Sequence, residues 1–297
     1  MGQWAVAVHG GAGVWRDQDE GRICTGVAAA VAGARAVLDG GGSALDAVVA
    51  AVLQLEDDEL FNAGTGAALN RDGDAELDAA VMSGKDLRCG GVAALRGVRN
   101  PVLVARRVME ASPHVLLAGE GARRFAQEQG FDVEYDPVTA RAREVWVARS
   151  KAGPTLEPPS PAGDTVGAVA LDRNGHLAAA TSTGGTILKL PGRVGDSPIP
   201  GAGNYASAWA ACSATGRGEL MMRLLAAKAL CDRVQAGAAP QPAADSLLVL
   251  MRESVGADAG FILVSASGEV GIAHGTPAMP HAWQRQGAPV QARFRCG

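Results

Sequence analysis

In PPSPAGDTVGAVALDRNGHLAAATSTGG, residues 158–185, a proline-rich polar stretch runs straight into an apolar strand, with Asp164-Thr165 at the junction. A threonine opening a strand is ordinarily just a β-branched residue with good strand propensity. A different chemistry opens if the peptide bond between Asp164 and Thr165 breaks. Thr165 then becomes a chain terminus with a free α-amine, whose ordinary pKa is about 7.7. One residue would carry both a hydroxyl nucleophile and the base that activates it. Before the break, the same hydroxyl could attack the preceding carbonyl and form an ester that water hydrolyses. The junction would then process itself.

Other stretches offer weaker chemistry. HGGAG (9–13) ends the first apolar segment and could present backbone N–H groups to an anionic intermediate. His9 itself reads more simply as a core or supporting histidine. GAGNYA (201–206) formally matches a dinucleotide-binding G-x-G-x-x-A, but it follows Pro198-Ile199-Pro200 instead of a strand. The sequence has no GxSxG elbow, GxxxxGK[ST] loop, HExxH pair or cysteine-rich zinc pattern.

WAVAVH (4–9) predicts a strand, 22–38 a helix, and Ser43 the N-cap of a helix reaching about Leu55. Asp72-Gly73 signals a hairpin within 67–82, and 90–95 a strand. Asn100-Pro101 opens a helix with proline at its first position, and a further helix covers 119–129. KAGPTLEPPSPAG (151–163), with four prolines, reads as a mobile linker. VGAVAL and HLAAAT are strands joined at Arg173-Asn174-Gly175. Helices follow near 218–236 and 241–254, and FILVSASGEVGIAH is a last hairpin turning at Ser267-Gly268. Strands that come in hairpins predict antiparallel sheets covered by helix layers, not a parallel doubly wound sheet.

Composition bounds the rest. The 297 residues are 47% hydrophobic and 20% charged, enough for a sizeable core. A net charge of −4 without a basic stripe argues against nucleic acid or an anionic membrane as partner. The N-terminus reads as a strand, not a signal peptide, and no apolar run approaches membrane-spanning length. The scattered cysteines, Cys24, Cys89, Cys212, Cys231 and Cys296, read as free thiols in a reducing cytoplasm. The linker divides the chain, yet neither part looks self-sufficient, which predicts one composite domain over 1–297.

As a set, HGGAG, LFNAGTGAALNRDGDAELDAAVMSG (60–84), GDTVGAVALDRNGHLAAATSTGG (163–185), LPGRVGDSPIPGAGNYA (190–206) and ATGRGE (214–219) resemble the plant-type asparaginase/isoaspartyl peptidase family of N-terminal-nucleophile hydrolases. The likeness covers most of the chain in order and is weakest in 130–163 and after about 255. It implies an α+β fold, a four-layer αββα sandwich. Self-cleavage would give an alpha subunit (1–164) and a beta subunit (165–297), with two such pairs forming a homodimer. The implied activity is hydrolysis of the side-chain amide of asparagine and of β-aspartyl dipeptides. The implied partner is thus a small molecule or dipeptide, and no cofactor is required. Carried over by position, Thr165 is the nucleophile and Thr183 hydrogen-bonds its hydroxyl. Thr215 supports it and, with Asn62, forms the oxyanion hole. Arg193 would hold a substrate α-carboxylate in its planar fork and Asp196 the α-ammonium, with Gly216 and Gly218 completing that pocket. The resemblance also implies a structural sodium ion held by backbone carbonyls of Leu55, Glu56, Asp58, Phe61, Ala63 and Thr65. Two other readings remain open: a glycosylasparaginase using the same nucleophile, and a non-hydrolytic nucleotide-binding α/β protein.

Overall fold

The computed structural model describes residues 2–15, 19–151 and 165–296. Asp164 and all of the expected linker except Lys151 lie outside the described residues. The chain opens with β1 (Ala5–His9), then helices α1 (Glu20–Asp39) and α2 (Ala44–Glu56). Next come β2 (Leu77–Ser83), β3 (Cys89–Leu95), α3 (Pro101–Ala111), β4 (Leu116–Ala118), α4 (Gly119–Glu128) and α5 (Ala140–Ser150). From Thr165 onward run β5 (Val166–Leu171), β6 (Leu177–Thr183), β7 (Asn204–Ala206) and β8 (Ala210–Gly216). Helices α6 (Gly218–Leu224), α7 (Ala226–Gln235) and α8 (Pro240–Val255) follow, and then β9 (Ala259–Ser265), β10 (Val270–His274), β11 (His281–Arg285) and β12 (Gln291–Arg293).

Two sheets result. One has strand order β12-β11-β1-β5-β6-β2-β3-β4, the other β10-β9-β8-β7. All named pairings are antiparallel except β3 with β4. The protein is a mixed α+β fold. Helices α1 and α2 pack on the larger sheet, α7 and α8 on the smaller, and strands β1, β5, β6 and β2 face β7, β8 and β9.

The period of two along each strand sorts the side chains. Val6, Val8, Ala168, Ala170, Ala178 and Ala180 join a core with α1 and α2. Their neighbours Ala5, Ala7, Val169, Leu171, Leu177 and Ala179 meet Ala211, Ile262 and Val264 of the other sheet. On that second sheet, Ala210, Cys212, Phe261 and Leu263 turn towards α7 and α8. The odd-numbered positions of β1, β5, β6 and β8 therefore look into the seam between the sheets. His9, Gly167, Thr181, Thr183, Ser213 and Thr215 are odd positions of those strands, and Thr165 precedes β5 in the same phase.

Local chemistry explains the boundaries. Ser43 Oγ accepts the Asp46 amide at 3.1 Å and starts α2, while Asp19 Oδ1 caps α1 by accepting from Gly21 and Arg22 at 2.8 and 3.1 Å. Pro101 opens α3, although the Asn100 side chain makes no cap bond. Gly175, at φ 79°, and Gly268, at φ 77°, supply the left-handed turns of the β5–β6 and β9–β10 hairpins. Helix α1 has the length and mean hydropathy (1.3) of a membrane span. Ile23, Val27, Val31 and Leu38 pack into the core, so it serves as a core helix.

Two expectations are corrected. The Asp72-Gly73 turn forms, because Asn70 Oδ1 accepts the Asp72 and Asp74 amides at 3.0 Å, but it joins only the single bridge Leu69–Ala75. Strand β2 pairs instead with β3 and β6. The single helix expected over 218–236 breaks at Leu225, which takes φ 47°. There the amides of Ala227 and Lys228 turn away to the carbonyls of Ala202 and Gly201, at 3.0 and 2.9 Å. GAGNYA is no nucleotide cradle: the Gly201, Ala202 and Gly203 amides are taken by Asn204, Ile199 and Asp196 carbonyls.

Candidate active site

Register builds the site. Val166 lies opposite Ser182 and Gly167 opposite Thr181, so Thr165 falls opposite Thr183. Thr165 is buried, and its Oγ1 donates to Thr183 Oγ1 at 3.4 Å. Thr183 Oγ1 also accepts the Gly185 amide at 2.9 Å, which fixes that hydroxyl. One step deeper, Thr181 Oγ1 and Ser213 Oγ are 2.7 Å apart across the seam, and His9 Nε2 is 2.9 Å from Ser213 Oγ. Gly167 makes this network possible: a Cβ there would fall on Ser213 Oγ and within 2.6 Å of His9 Nε2.

His9 is fully buried, and desolvation drives its pKa down to about 3, against the raising effect of the Thr165 carbonyl. It is neutral at working pH and supports the seam, as the simpler reading had it. Three of the HGGAG amides are engaged within the fold. Gly10 and Gly13 donate to the carbonyls of Pro280 and Ala278, and Ala12 donates to Thr215 Oγ1 at 3.1 Å. With its oxygen engaged by Ala12, the Thr215 hydroxyl is set up to donate elsewhere.

A small cleft is lined by Thr165, Thr183, Gly185, Thr186, Arg193, Gly195, Asp196 and Gly216. It unites Thr165, Thr183, Arg193, Asp196 and Gly216 from the sequence reading. Gly218 stands just behind: a Cβ on it would lie 2.9 Å from both Arg193 Nη2 and Asp196 Oδ1. Thr215 is buried and Asn62 is tied nearby, its Nδ2 donating to the Gly185 carbonyl at 2.8 Å and its Oδ1 accepting from Ala68 at 2.6 Å. Neither lines the cleft.

The charges are set by burial. Asp196 is buried, and desolvation raises its pKa to about 7, with Arg193 pulling the other way. Its Oδ2 has no hydrogen-bond partner, an open acceptor in a closed place. Burial works against the Arg193 guanidinium, but the Glu219 hydrogen bond and the charges of Glu219, Asp196 and Asp78 outweigh it, so it stays charged. Glu219 Oε1 takes Arg193 Nε at 3.0 Å, leaving the two terminal nitrogens for a ligand. The sequence reading missed Glu219, Gly185, Thr186 and Gly195. All stand within or beside the quoted motifs, but nothing in their spacing marked them.

Thr215→Val keeps the shape and removes the donor, so kcat should fall roughly 10²- to 10³-fold with little change in KM, if this hydroxyl stabilises an oxyanion. Steady-state kinetics would read this, and a loss confined to KM would refute the role.

The loop 56–65 closes on itself through Thr65 N to Glu56 O at 2.8 Å and Phe61 N to Asp58 O at 3.0 Å. Gly64 packs so tightly there that a Cβ would lie 2.7 Å from the Glu56 carbonyl oxygen. Two of the six carbonyls expected to hold a cation, those of Glu56 and Asp58, thus already accept amides of the loop itself. The Glu56 side chain points elsewhere, buried and accepting the Val102 amide at 3.1 Å.

Two largely antiparallel sheets that bring paired hydroxyls and a guanidinium–carboxylate pair to one cleft define the architecture of a hydrolase for small charged molecules. The chain belongs to the asparaginase family, whose model matches residues 2–291. It is 44% identical over 298 residues to a plant-type L-asparaginase of Pyrococcus abyssi, covering 95% of this chain and 97% of the relative. Against an isoaspartyl peptidase of Escherichia coli it is 42% identical over 313 residues, covering 99% and 97%. Against an isoaspartyl peptidase/L-asparaginase of Xenopus laevis it is 43% identical over 272 residues, covering 89% and 86%.

Proposed function

We propose that the protein hydrolyses the side-chain amide of L-asparagine and the isopeptide bond of β-aspartyl dipeptides, with Thr165 as an N-terminal nucleophile exposed by self-cleavage. The observation that carries this reading is the single cleft in which the Thr165–Thr183 hydroxyl pair stands beside Arg193 and Asp196. Such a cleft suits a substrate with both halves of an amino-acid head group at one end and a carbonyl at the other. Arg193 takes the α-carboxylate and Asp196 the α-ammonium. Thr165 Oγ attacks the side-chain carbonyl carbon while the Thr165 α-amine takes the hydroxyl proton. Asn62 Nδ2 and the Thr215 hydroxyl stabilise the oxyanion. The C–N bond breaks as the proton passes to the leaving nitrogen, releasing ammonia or an amino acid. Water then hydrolyses the aspartyl ester and frees aspartate.

On this reading the helix pair, sheet, sheet, helix pair arrangement is the four-layer αββα sandwich of N-terminal-nucleophile hydrolases. Residues 1–164 and 165–297 become the alpha and beta subunits of one composite domain. Two such pairs associate in the cytoplasm; sedimentation at about the 30.1 kDa of one chain would refute the dimer. Carbonyls of Leu55, Glu56, Asp58, Phe61, Ala63 and Thr65 would hold a sodium ion that stiffens the loop carrying Asn62. Exchanging sodium for tetramethylammonium should lower the Tm by a few degrees, and an unchanged Tm would dismiss the ion. The decisive test of the whole reading is the mass spectrum of the purified protein together with an asparagine assay. Two fragments meeting at Thr165 and ammonia release are expected; a permanently single, inactive chain overturns it.

A further inference from the structure

Two carboxylates and an ammonium are buried beneath the loop that carries Arg193 and Asp196. Asp78 of β2 is fully buried and lies opposite Thr183 in register. Its Oδ2 accepts the Gly195 amide at 3.0 Å and its Oδ1 the Ala94 amide at 2.8 Å. Glu76, one residue before β2, is almost as buried. Its carboxylate accepts the Gly192 amide at 3.0 and 3.2 Å and the Arg96 guanidinium at 2.8 Å. The buried Lys189 places its Nζ 2.8 Å from the Glu76 carbonyl, and its charge acts on both carboxylates. Gly192 and Gly195 lie on either side of Arg193, whose own amide closes a turn on Leu190 at 2.9 Å. Buried ions are costly, and apolar residues fill such volume at least as well. What the carboxylates add is directional: each grips a backbone N–H that no apolar side chain could hold.

We propose that Glu76, Asp78 and Lys189 are positioning residues for recognition of the amino-acid head group. From the start of β2 the two carboxylates hold the amides flanking Arg193, and so set the spacing between its guanidinium and Asp196. Lys189 balances their charge from behind Gly185, where a Cβ would meet its Nζ at 2.9 Å. None of the three lines the cleft, so they act through the loop. The inference rests on the head-group reading of the cleft given under Proposed function.

The test is Asp78→Asn, with Glu76→Gln as a second variant should the first fail to fold, each alone and combined with Arg193→Ala. Chain cleavage is followed by mass spectrometry, hydrolysis by asparagine kinetics, and L-aspartate binding by calorimetry. Each single variant should cleave as the wild type does. KM and the aspartate Kd should rise about ten-fold or more while kcat stays within about three-fold, the signature of lost binding. In the Arg193→Ala background the added effect on kcat/KM should shrink to less than about two-fold, because the group being positioned is gone. An equal effect in both backgrounds, or lost cleavage and kcat with KM unchanged, overturns the proposal. Wild-type protein that hydrolyses neither asparagine nor a β-aspartyl dipeptide and binds no aspartate overturns the functional reading and this inference with it. An active wild type whose KM is untouched by both variants overturns this inference alone.

Discussion

Thr165→Ala should run as one band near 30.1 kDa and hydrolyse asparagine roughly 10⁴- to 10⁶-fold more slowly than the wild type. Both losses have one cause. The methyl that replaces the hydroxyl can neither attack the preceding carbonyl nor attack a substrate, and the α-amine that would serve as base is never released. Thr165→Ser separates the steps: it keeps the oxygen, so it should still cleave and still turn over, more slowly, because the methyl that holds one rotamer is gone. The packing around Thr165 is compatible with both changes, since each removes atoms and adds none. Denaturing electrophoresis and an ammonia-release assay read the outcome. Wild-type turnover in the alanine variant would end the proposed mechanism.

Asp196→Asn should lower kcat/KM for asparagine by roughly two to three orders of magnitude, since it leaves a substrate ammonium buried without its counter-charge. The wild type carries a pH signature of the same contact. Burial raises the Asp196 pKa to about 7 in the empty cleft. Below that pH the carboxyl is protonated and cannot balance an ammonium, so kcat/KM falls as pH drops through about 7. The Thr165 α-amine, ordinarily near 7.7, must also be neutral to act as base, and adds a second proton to the same acid limb. For asparagine the limb should approach a slope of two. For succinamate, which lacks the α-amine and has no need of Asp196, it should stay near one, and Asp196→Asn should bring asparagine to that shallower profile. Because kcat/KM reports the free enzyme, the shift belongs to the empty cleft. Equal slopes for the two substrates in the wild type would exclude the proposed pairing.

How much of this was legible in the residues depended on range. Hairpins at Arg173-Asn174-Gly175 and Ser267-Gly268 could be read because turn chemistry is local, and so could the Ser43 cap. Strand β8 could not: AACSATG is rich in alanine and poor in the β-branched and aromatic residues that favour strands, and it becomes a strand by pairing with β9. Helix α5 was missed because its apolar face is slight, and it is docked through Trp146 Nε1 on the Asn70 carbonyl at 2.8 Å. The kink at Leu225 depends on carbonyls more than twenty residues away. Within the site, the resemblance supplied residues that share motifs, Thr165, Thr183, Arg193 and Asp196, and the structure sets them round one cleft. Glu76, Asp78 and Lys189 carried no such mark. Their significance appears only when the start of β2 and the 190–196 loop are seen together, and sequence separation hides that.

The strand order of the larger sheet decides what a cut at Thr165 would do to the whole. Strand β1 is flanked by β11 and β5, and the β5–β6 pair is flanked by β1 and β2. Pieces ending and beginning at the junction are thus woven through each other, each fragment supplying neighbours to the other along every strand of the middle of the sheet. Scission releases two new ends and no body: the halves should co-purify through any native column and part only when the sheet itself melts.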